Sequence, residues 1–320
     1  MQEKKVSKFK TFKKALSTRK VMQELPPIKD IHYISDEELK ELQGCFLEMI
    51  KDIDRVCEEY GICYMAAGGT CLGSVRHKGF IPWDDDVDLL MPRADLQKFL
   101  KIFDEALGDK YEITSPGTKY PLESMITAIY KKDTYKGTFQ SYGTDLPKGV
   151  HIDIFSIESV PRNPIARGLK GFHATCMQYI AVSTLFKSLT NDEKRAFFYQ
   201  TEAGKINYRI RMFVAGVFSF RSCDKWAAKF EKAVSMKKDS GLWTVPTDIK
   251  HYFGHIMPKE VYFPPKKGPF EDMMINLPNN TDEYLKNQYG DYMQIPKVED
   301  REKHWTIGFN LTSGEDKSEK

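Results

Sequence analysis

Apolar residues recur every three or four positions after Ser35, and this period predicts a long amphipathic helix. Ser35 and Glu38 form a capping-box pair, in which each side chain accepts a hydrogen bond from the other residue's backbone N–H. The pattern continues to about Glu59, and Gly61 ends it. The apolar positions are Leu39, Leu42, Phe46, Ile50, Ile53 and Val56.

Short β-prone segments follow this helix and predict a sheet. The predicted strands lie at residues 62–66, 86–91, 111–114, 125–130 and 151–157. A short helix is predicted at 70–75, and a longer one runs from Arg93 to Leu107. Because strands and helices intermingle up to residue 160, the predicted fold class is α/β (α+β) with a short mixed sheet.

The second half of the chain has a helical pattern and a basic composition between residues 165 and 240. Within it, 206–220 is apolar with arginines on one flank and too short to span a bilayer. A packed helix is the main interpretation, and an interfacial patch for a lipid-linked acceptor is the alternative. The predicted division is a basic arm and linker at 1–30, a catalytic core at 31–160, a mainly helical C-terminal region at 161–312 and a disordered tail at 313–320.

The composition limits the classes of function. The chain has 320 residues, and its net charge of only +3 excludes a nucleic-acid platform that covers the whole molecule. No apolar run is long enough for a transmembrane helix, and the N-terminus lacks the apolar part of a secretory signal. The six cysteines form no C-x-x-C pair and fit no zinc spacing, so we expect free thiols in a reducing cytoplasm.

The first 20 residues form a basic arm, with eight Lys and Arg against one acid, Glu3. The apolar residues at helical spacing are Val6, Phe9, Phe12 and Leu16. This pattern is typical of a basic amphipathic helix at an anionic membrane surface, and a frayed soluble tail is the alternative. We therefore expect a cytoplasmic protein with peripheral contact at the inner face of the membrane.

A run of acids accompanies the second predicted strand. Asp84, Asp86 and Asp88 stand at alternate positions, so an extended chain would place them on one face. Such carboxylates repel one another unless a cation lies between them, and their hard oxygens suit Mg²⁺, with Mn²⁺ as the second candidate. A solvated acidic loop is the alternative, and it is the more natural interpretation for Asp85, which would point the other way.

A calcium loop of the EF-hand type fits this run poorly. Counted from Asp84, the sixth position is Leu89, where such a loop needs glycine. The twelfth position is Asp95 rather than the usual bidentate Glu.

Gly68 and Gly69 precede the acids and are followed by Thr70. A turn of two glycines lets backbone N–H groups approach a phosphate. Arg76 and Lys78 lie between the glycines and the acids, where their cationic ends could reach a pyrophosphate, with surface solvation as the alternative. A phosphate-binding turn beside a metal site predicts phosphoryl-transfer chemistry.

Asp153 is a further candidate, because it stands between two isoleucines in an apolar strand, where it would share a face with His151 and Phe155. It could help bind a metal or accept the proton of an attacking hydroxyl. A structural Asp that accepts backbone hydrogen bonds is the alternative. His251 and His255 are four residues apart, but a metal site there lacks a third ligand.

These motifs resemble the LicD family of phosphocholine transferases, which is related to the fukutin-type phosphotransferases and belongs to the nucleotidyltransferase-fold superfamily. The resemblance rests on Gly68-Gly69-Thr70-x-Leu72-Gly73-x-x-Arg76, on Ile81-Pro82-Trp83-Asp84-x-Asp86-x-Asp88, on His151-Ile152-Asp153-Ile154-Phe155 and on positions between Phe263 and His304. It extends from about residue 35 to about residue 305, and 165–240 matches least clearly. It implies a nucleotidyltransferase-like core.

The resemblance also implies roles for single residues. Gly68, Gly69 and Thr70 would form the phosphate-binding turn, and Arg76 would support the diphosphate. The implied metal ligands and catalytic residues are Asp86, Asp88 and Asp153, with Asp153 as ligand or general base and Asp84 behind them. Glu271, Asp291 and His304 are candidate walls of the site.

The reaction implied is an attack by a hydroxyl of a cell-surface glycan precursor on a CDP-activated alcohol such as CDP-choline, with release of CMP. The glycan or lipid-linked acceptor would belong to a teichoic acid, a lipopolysaccharide or a capsule. If choline is the alcohol, aromatic faces would hold its cation, and the available side chains are Trp83, Tyr130, Tyr142 and Trp305. Three alternatives are a nucleotidyltransferase that releases pyrophosphate from an NTP, an Asp-x-Asp glycosyltransferase and a non-catalytic binding protein.

Overall fold

The computed structural model describes residues 10–22, 25, 31–301 and 306–312. Several predictions fall on other residues and lie outside the described part of the chain. These are the first part of the basic arm, the linker with Pro26 and Pro27, the tail at 313–320, and the candidates His304 and Trp305.

The chain alternates helices and strands, which confirms the predicted α/β class. The helices are α1 (Thr18–Met22), α2 (Asp36–Glu59), α3 (Gly68–His77), α4 (Arg93–Ala106), α5 (Pro164–Leu189), α6 (Asp192–Phe198), α7 (Glu202–Val217), α8 (Cys223–Val234), α9 (His251–Gly254), α10 (Lys259–Tyr262) and α11 (Thr281–Tyr289). The strands are β1 (Ile31–His32), β2 (Met65–Ala66), β3 (Asp88–Pro92), β4 (Tyr111–Thr114), β5 (Thr127–Lys131), β6 (Tyr135–Gly137), β7 (His151–Ser159), β8 (Leu242–Thr244), β9 (Met257–Pro258), β10 (Lys266–Phe270), β11 (Met273–Leu277) and β12 (Thr306–Asn310).

The central sheet has the strand order β2-β3-β7-β5-β4. The pair β3–β7 is parallel, whereas β2–β3, β7–β5 and β5–β4 are antiparallel. The sheet is therefore mixed, as predicted. The first predicted strand, at 62–66, is wrong over most of its length, because only two residues pair with β3 before the chain enters α3.

Helix α2 begins at the predicted capping box. Ser35 Oγ accepts from the Glu38 N–H at 3.2 Å, and Glu38 Oε2 accepts from the Ser35 N–H at 2.8 Å. The helix ends at Glu59, and Gly61 follows in the left-handed region at φ 61°. Its buried face packs under the central sheet, where Leu42, Phe46 and Ile50 are fully buried. The predicted helix is confirmed at both ends.

The helical character of 165–240 is also confirmed, by α5 to α8. Helix α5 packs against α8 around Trp226 and Phe230. Arg93, at the start of α4, joins this region to the central sheet, because it forms ion pairs with Glu158 of β7 and Glu231 of α8. Within the described ranges, no helix has both the length and the apolarity to cross a bilayer.

The described N-terminal segment packs against α7 and against the phenylalanines at the end of α6. Ala15 and Val21 are buried in a small core with Phe197, Phe198 and Tyr208. The Asn207 side chain donates to the Ala15 carbonyl at 2.8 Å, which anchors the segment to α7. Phe12 and Leu16, the two described members of the predicted apolar face, remain exposed, and membrane contact through the arm stays a prediction.

The segment after residue 241 packs mainly with the central sheet rather than with α5 to α8. Tyr262, Phe270 and Tyr284 belong to the same buried cluster as the core of the central sheet. The hairpin of β10 and β11 lies on α3, where Ser74 Oγ donates to the Pro269 carbonyl at 2.7 Å. Helix α11 also packs against α3, which brings it close to Asp88 of β3.

Candidate active site

Asp88 and Asp153 are brought together by the pairing of β3 with β7. The strands are parallel, and Asp88 lies opposite Asp153 in their register. Residues in such positions point to the same face, on strands about 4.8 Å apart. The Asp153 N–H donates to the Val87 carbonyl at 3.0 Å, and Ala128 of β5 flanks Asp153 on its other side. The two acids therefore lie in the middle of the sheet.

Solvent exposure alternates along both acid-bearing segments, in agreement with a shared face. The half-buried residues are Asp84, Asp86, Asp88, His151, Asp153 and Phe155, and buried residues stand between them. The predicted strand start at residue 86 is nevertheless wrong, because β3 begins at Asp88. Asp84 and Asp86 lie in the preceding loop, since the Asp84 N–H still closes a turn on the Ile81 carbonyl at 2.9 Å.

This loop is held from two sides. The Gln43 amide of α2 donates to the Asp84 carbonyl at 3.1 Å and to the Ile81 carbonyl at 3.3 Å. Lys136 of β6 donates to the Asp85 carbonyl. Asp85 itself is buried, so its interpretation as a solvated acid is wrong. The anchoring fixes the backbone that carries Asp84 and Asp86.

Gly68 and Gly69 are the first residues of α3 rather than a separate turn. A Cβ on Gly68 would lie 3.1 Å from Asp88 Oδ2, and a Cβ on Gly69 would lie 2.6 Å from Asp84 Oδ2. The two carboxylates thus rest on the N-terminus of α3, where the helix dipole favours negative charge. Thr70 Oγ1 accepts from the Asp88 N–H at 3.0 Å and ties the helix to β3.

Two tyrosines of α11 lie against the same helix terminus, and sequence reasoning gave neither a role. The Gly68 N–H donates to the Tyr284 hydroxyl at 3.1 Å. The Tyr289 hydroxyl lies 3.5 Å from the position that a Gly68 Cβ would take. Desolvation raises the pKa of Tyr289 well above its usual value, and the neighbouring Tyr284 and aspartates raise it further. Tyr289 is therefore a neutral hydroxyl that faces the acids.

Glu123 was also missed, because no sequence pattern marks it. It lies close enough to Asp153 for that charge to raise its pKa, although burial is the larger cause, and the resulting pKa is about 8. Lys194 opposes the shift. The Tyr130 hydroxyl donates to Glu123 Oε2. The carboxyl next to Asp153 thus mostly carries a proton at neutral pH.

Arg76 reaches toward the C-terminal part of the site. Its guanidinium donates to the Tyr292 carbonyl at 2.7 Å and to the Gln294 carbonyl at 3.2 Å. Desolvation lowers its pKa, while Tyr289 and Asp84 act in the opposite direction. Arg76 holds the segment that follows α11, and its contact with a diphosphate stays a prediction.

Comparison with known proteins agrees with this geometry. Residues 61–171 match the family model of the LicD/FKTN/FKRP nucleotidyltransferase domain. They contain α3, β3, β7 and the loop that carries Asp84 and Asp86, which we call the acidic loop. The chain is 27% identical over 279 residues to the lipopolysaccharide cholinephosphotransferase LicD of Haemophilus influenzae, covering 83% of this chain and 95% of that protein. The chain is therefore similar to LicD proteins over most of its length, and residues 61–171 match the domain of that family.

Two shorter similarities involve uncharacterized proteins. An uncharacterized protein of Rickettsia prowazekii is 35% identical over 81 residues, which is 22% of this chain and 30% of that protein. An uncharacterized protein of Rickettsia typhi is 38% identical over 55 residues, which is 17% of this chain and 18% of that protein.

The candidate site offers carboxylate oxygens from two neighbouring strands. Among the residues that the structure describes, no three or more His, Cys, Asp or Glu side chains are grouped so that they could hold a metal ion. Metal binding by Asp86, Asp88 and Asp153 stays a prediction. Mg²⁺ commonly binds through one or two carboxylates, with substrate phosphates and water as further ligands. The adjacent Asp88 and Asp153 fit that pattern.

Three of the remaining candidate residues have structural partners. Glu271 accepts from the Phe80 N–H at 2.9 Å and so holds the loop before the acids. The Trp83 ring is covered by the Arg301 guanidinium at 3.8 Å from its centroid. Tyr130 stacks on His151 at 5.0 Å.

The two histidines predicted as a weak pair are separated in environment. His255 is fully buried and lies 3.2 Å from Asp248 Oδ2, whereas His251 is exposed. Asp291 is exposed as well. The six cysteines are free thiols, as expected.

Proposed function

We propose that this protein is a phosphotransferase that moves phosphocholine from CDP-choline to a hydroxyl of a cell-surface glycan precursor, such as a lipopolysaccharide. The main support is the in-register pair Asp88 and Asp153 beside the N-terminus of α3. The similarity to a lipopolysaccharide cholinephosphotransferase over most of both chains supports the reaction class and the kind of acceptor.

In the proposed reaction, the acceptor oxygen forms a bond to the phosphorus that carries choline. The bond from that phosphorus to the bridging oxygen of the diphosphate breaks, and CMP leaves with the electron pair. Asp153 accepts the proton of the acceptor hydroxyl. Gly68 and Gly69 let the diphosphate approach the positive end of α3 without a Cβ in the way.

The proposed cofactor is Mg²⁺, held by Asp88 and Asp153 with Asp86 within reach on the adjoining loop. When bound, the ion would neutralise charge on the diphosphate and on the leaving CMP. Its chemistry explains why several carboxylates stand where an anionic substrate must bind. The Tyr289 hydroxyl can donate a hydrogen bond to the same oxygens.

The function is tested by incubating the protein with Mg²⁺, CDP-choline and a lipopolysaccharide core that lacks phosphocholine. We expect CMP in the nucleotide fraction and one phosphocholine added to the acceptor by mass spectrometry. Parallel reactions contain CDP-ribitol, CDP-glycerol or a nucleotide sugar, and a further one contains EDTA. Turnover of the nucleotide sugar alone would contradict the proposal, and full activity in EDTA would contradict the metal.

A second candidate is nucleotide transfer from an NTP, because the matched domain is described as a nucleotidyltransferase domain. The two reactions differ in their products, since nucleotide transfer releases pyrophosphate and leaves CMP on the acceptor. CTP with the same acceptor distinguishes them. Pyrophosphate release from CTP, without CMP release from CDP-choline, would favour the second candidate.

A further inference from the structure

Helix α5 carries an apolar stripe that faces solvent. Ile165, Leu169 and Phe172 are 75%, 68% and 68% exposed. Their spacing of four and then three residues places them on one side of the helix. Phe253 of α9 lies against the backbone of Gly171 and is also exposed, so the apolar area extends beyond the helix. Contiguous exposed apolar side chains of this size commonly mark an interaction site.

A second stripe with the same spacing lies on α7 and its C-terminal end. Phe213, Val217 and Phe220 are 72%, 54% and 68% exposed. The two helices are neighbours, because Val214 and Phe218 pack into the cluster that contains Ala174 of α5. We call the six side chains of both stripes the α5–α7 surface: Ile165, Leu169, Phe172, Phe213, Val217 and Phe220.

The charge around the α5–α7 surface is strongly positive. Residues 161–240 contain fifteen Lys and Arg against six Asp and Glu, although the whole chain has a net charge of only +3. Helix α5 contains no acid, and the acid of α7 is Glu202 in its first turn. Arg162 and Arg209 are exposed and precede Ile165 and Phe213 by three and four residues. A partner for this surface must therefore be negatively charged as well as apolar.

We propose that the α5–α7 surface is a peripheral membrane-binding site that takes an anionic lipid surface. Phenylalanine and leucine would enter the boundary between headgroups and acyl chains, while the arginines contact lipid phosphates. A lipid surface matches both the exposed phenylalanines and the lack of acids along α5, whereas a second copy of this basic face would repel itself. The inference goes beyond the proposed function and does not rest on it.

The test measures binding of the full chain to phosphatidylcholine vesicles, with and without an equal amount of phosphatidylglycerol, by flotation. We expect binding only to the anionic vesicles. The variants Ile165→Ser/Leu169→Ser/Phe172→Ser and Phe213→Ser/Val217→Ser/Phe220→Ser should each lower the partition coefficient at least about tenfold. Arg162→Glu/Arg209→Glu should do the same through charge.

Matched controls replace exposed residues elsewhere. Tyr33→Ser/Tyr60→Ser/Met274→Ser removes three exposed side chains outside the surface, and Lys40→Glu/Lys101→Glu reverses two exposed charges. These variants should bind vesicles nearly as wild type does. Thermal unfolding and CMP release with a soluble acceptor show that each variant is folded and report separately on the proposed function.

The proposal is overturned if wild-type protein does not float with anionic vesicles, or if the surface variants and the controls bind equally. Light scattering measures the oligomeric state and so tests the alternative that a second copy of the chain binds this surface. A wild-type dimer that becomes monomeric in the surface variants, without any vesicle binding, would assign the surface to a second copy of the chain instead.

Discussion

Asp88 on β3 and Asp153 on β7 are direct partners in the register of two parallel strands, although 64 residues separate them in the sequence. The change Asp88→Asn or Asp153→Asn should leave the fold intact and lower turnover of CDP-choline by about 10²- to 10⁴-fold, because each removes a carboxylate from the reacting centre. Initial rates of CMP release measure this. Asp272→Asn changes an exposed acid elsewhere and should keep wild-type turnover; equal rates in all three variants would remove the site assignment.

A single methyl group at Gly69 should disturb the site. The new Cβ of Gly69→Ala would lie 2.6 Å from Asp84 Oδ2, so the Asp84 carboxylate must move from its present position. We expect turnover to fall at least about tenfold, since a small displacement of catalytic groups is costly. Gly44→Ala in α2 is the matched control, because a Cβ there meets nothing within 4 Å. That control should gain about 1 kcal/mol of stability with unchanged turnover. Full activity of Gly69→Ala would show that the close approach of Asp84 to Gly69 is unimportant for turnover.

The ion pairs of Arg93 connect the central sheet to α8. Arg93→Met should lower the free energy of unfolding by about 3–5 kcal/mol, because it leaves Glu158 and Glu231 buried without their cation. Chemical denaturation at neutral pH measures the loss. Lys98→Met breaks an exposed pair with Asp95 and should cost at most about 1 kcal/mol. Similar losses in both variants would mean that the buried network contributes little.

Stability should fall in mild acid partly because of His255. Burial lowers the pKa of this imidazole below its usual 6.5, while Asp248 opposes the shift. The unfolded chain therefore takes up a proton as pH falls below about 6.5, whereas the folded chain resists it, so protonation favours unfolding. Between about pH 7.5 and pH 5.5, His255→Gln should reduce the loss of unfolding free energy by about 1 kcal/mol.

The readout for His255 is the slope of stability against pH, which separates titration from any packing loss. His173→Gln replaces an exposed histidine and should leave the slope unchanged. If His255→Gln also leaves the slope unchanged, the buried imidazole does not control the acid sensitivity.

Features that depend on neighbouring residues could be predicted from the sequence. The capping box at Ser35 and the apolar period of α2 are local, and both ends of the helix agree with the prediction. Asp153 stood out because an acid between two isoleucines is unusual, and the exposure of β7 alternates as that pattern requires. The fold class follows from the same local signals.

Features that depend on distant packing could not be predicted. The Gly68 N–H donates a hydrogen bond to Tyr284, which lies 216 residues later in the chain. No sequence pattern near Tyr284 predicts that hydrogen bond. The burial of Ala15 and Val21 depends on packing against α7, and no local sequence pattern marks that contact. The raised pKa of Glu123 depends on its burial and on its closeness to Asp153 of β7, and both arise only in the folded chain.

The alternation Ile152-Asp153-Ile154 in β7 has a consequence for how the chain assembles. A slip of one residue against β3 would place an isoleucine opposite Asp88 and drive the Asp153 carboxylate into the apolar underside of the sheet. Mispaired molecules would thus be unstable as well as inactive. The alternation around Asp153 therefore also fixes the register in which β7 pairs with β3.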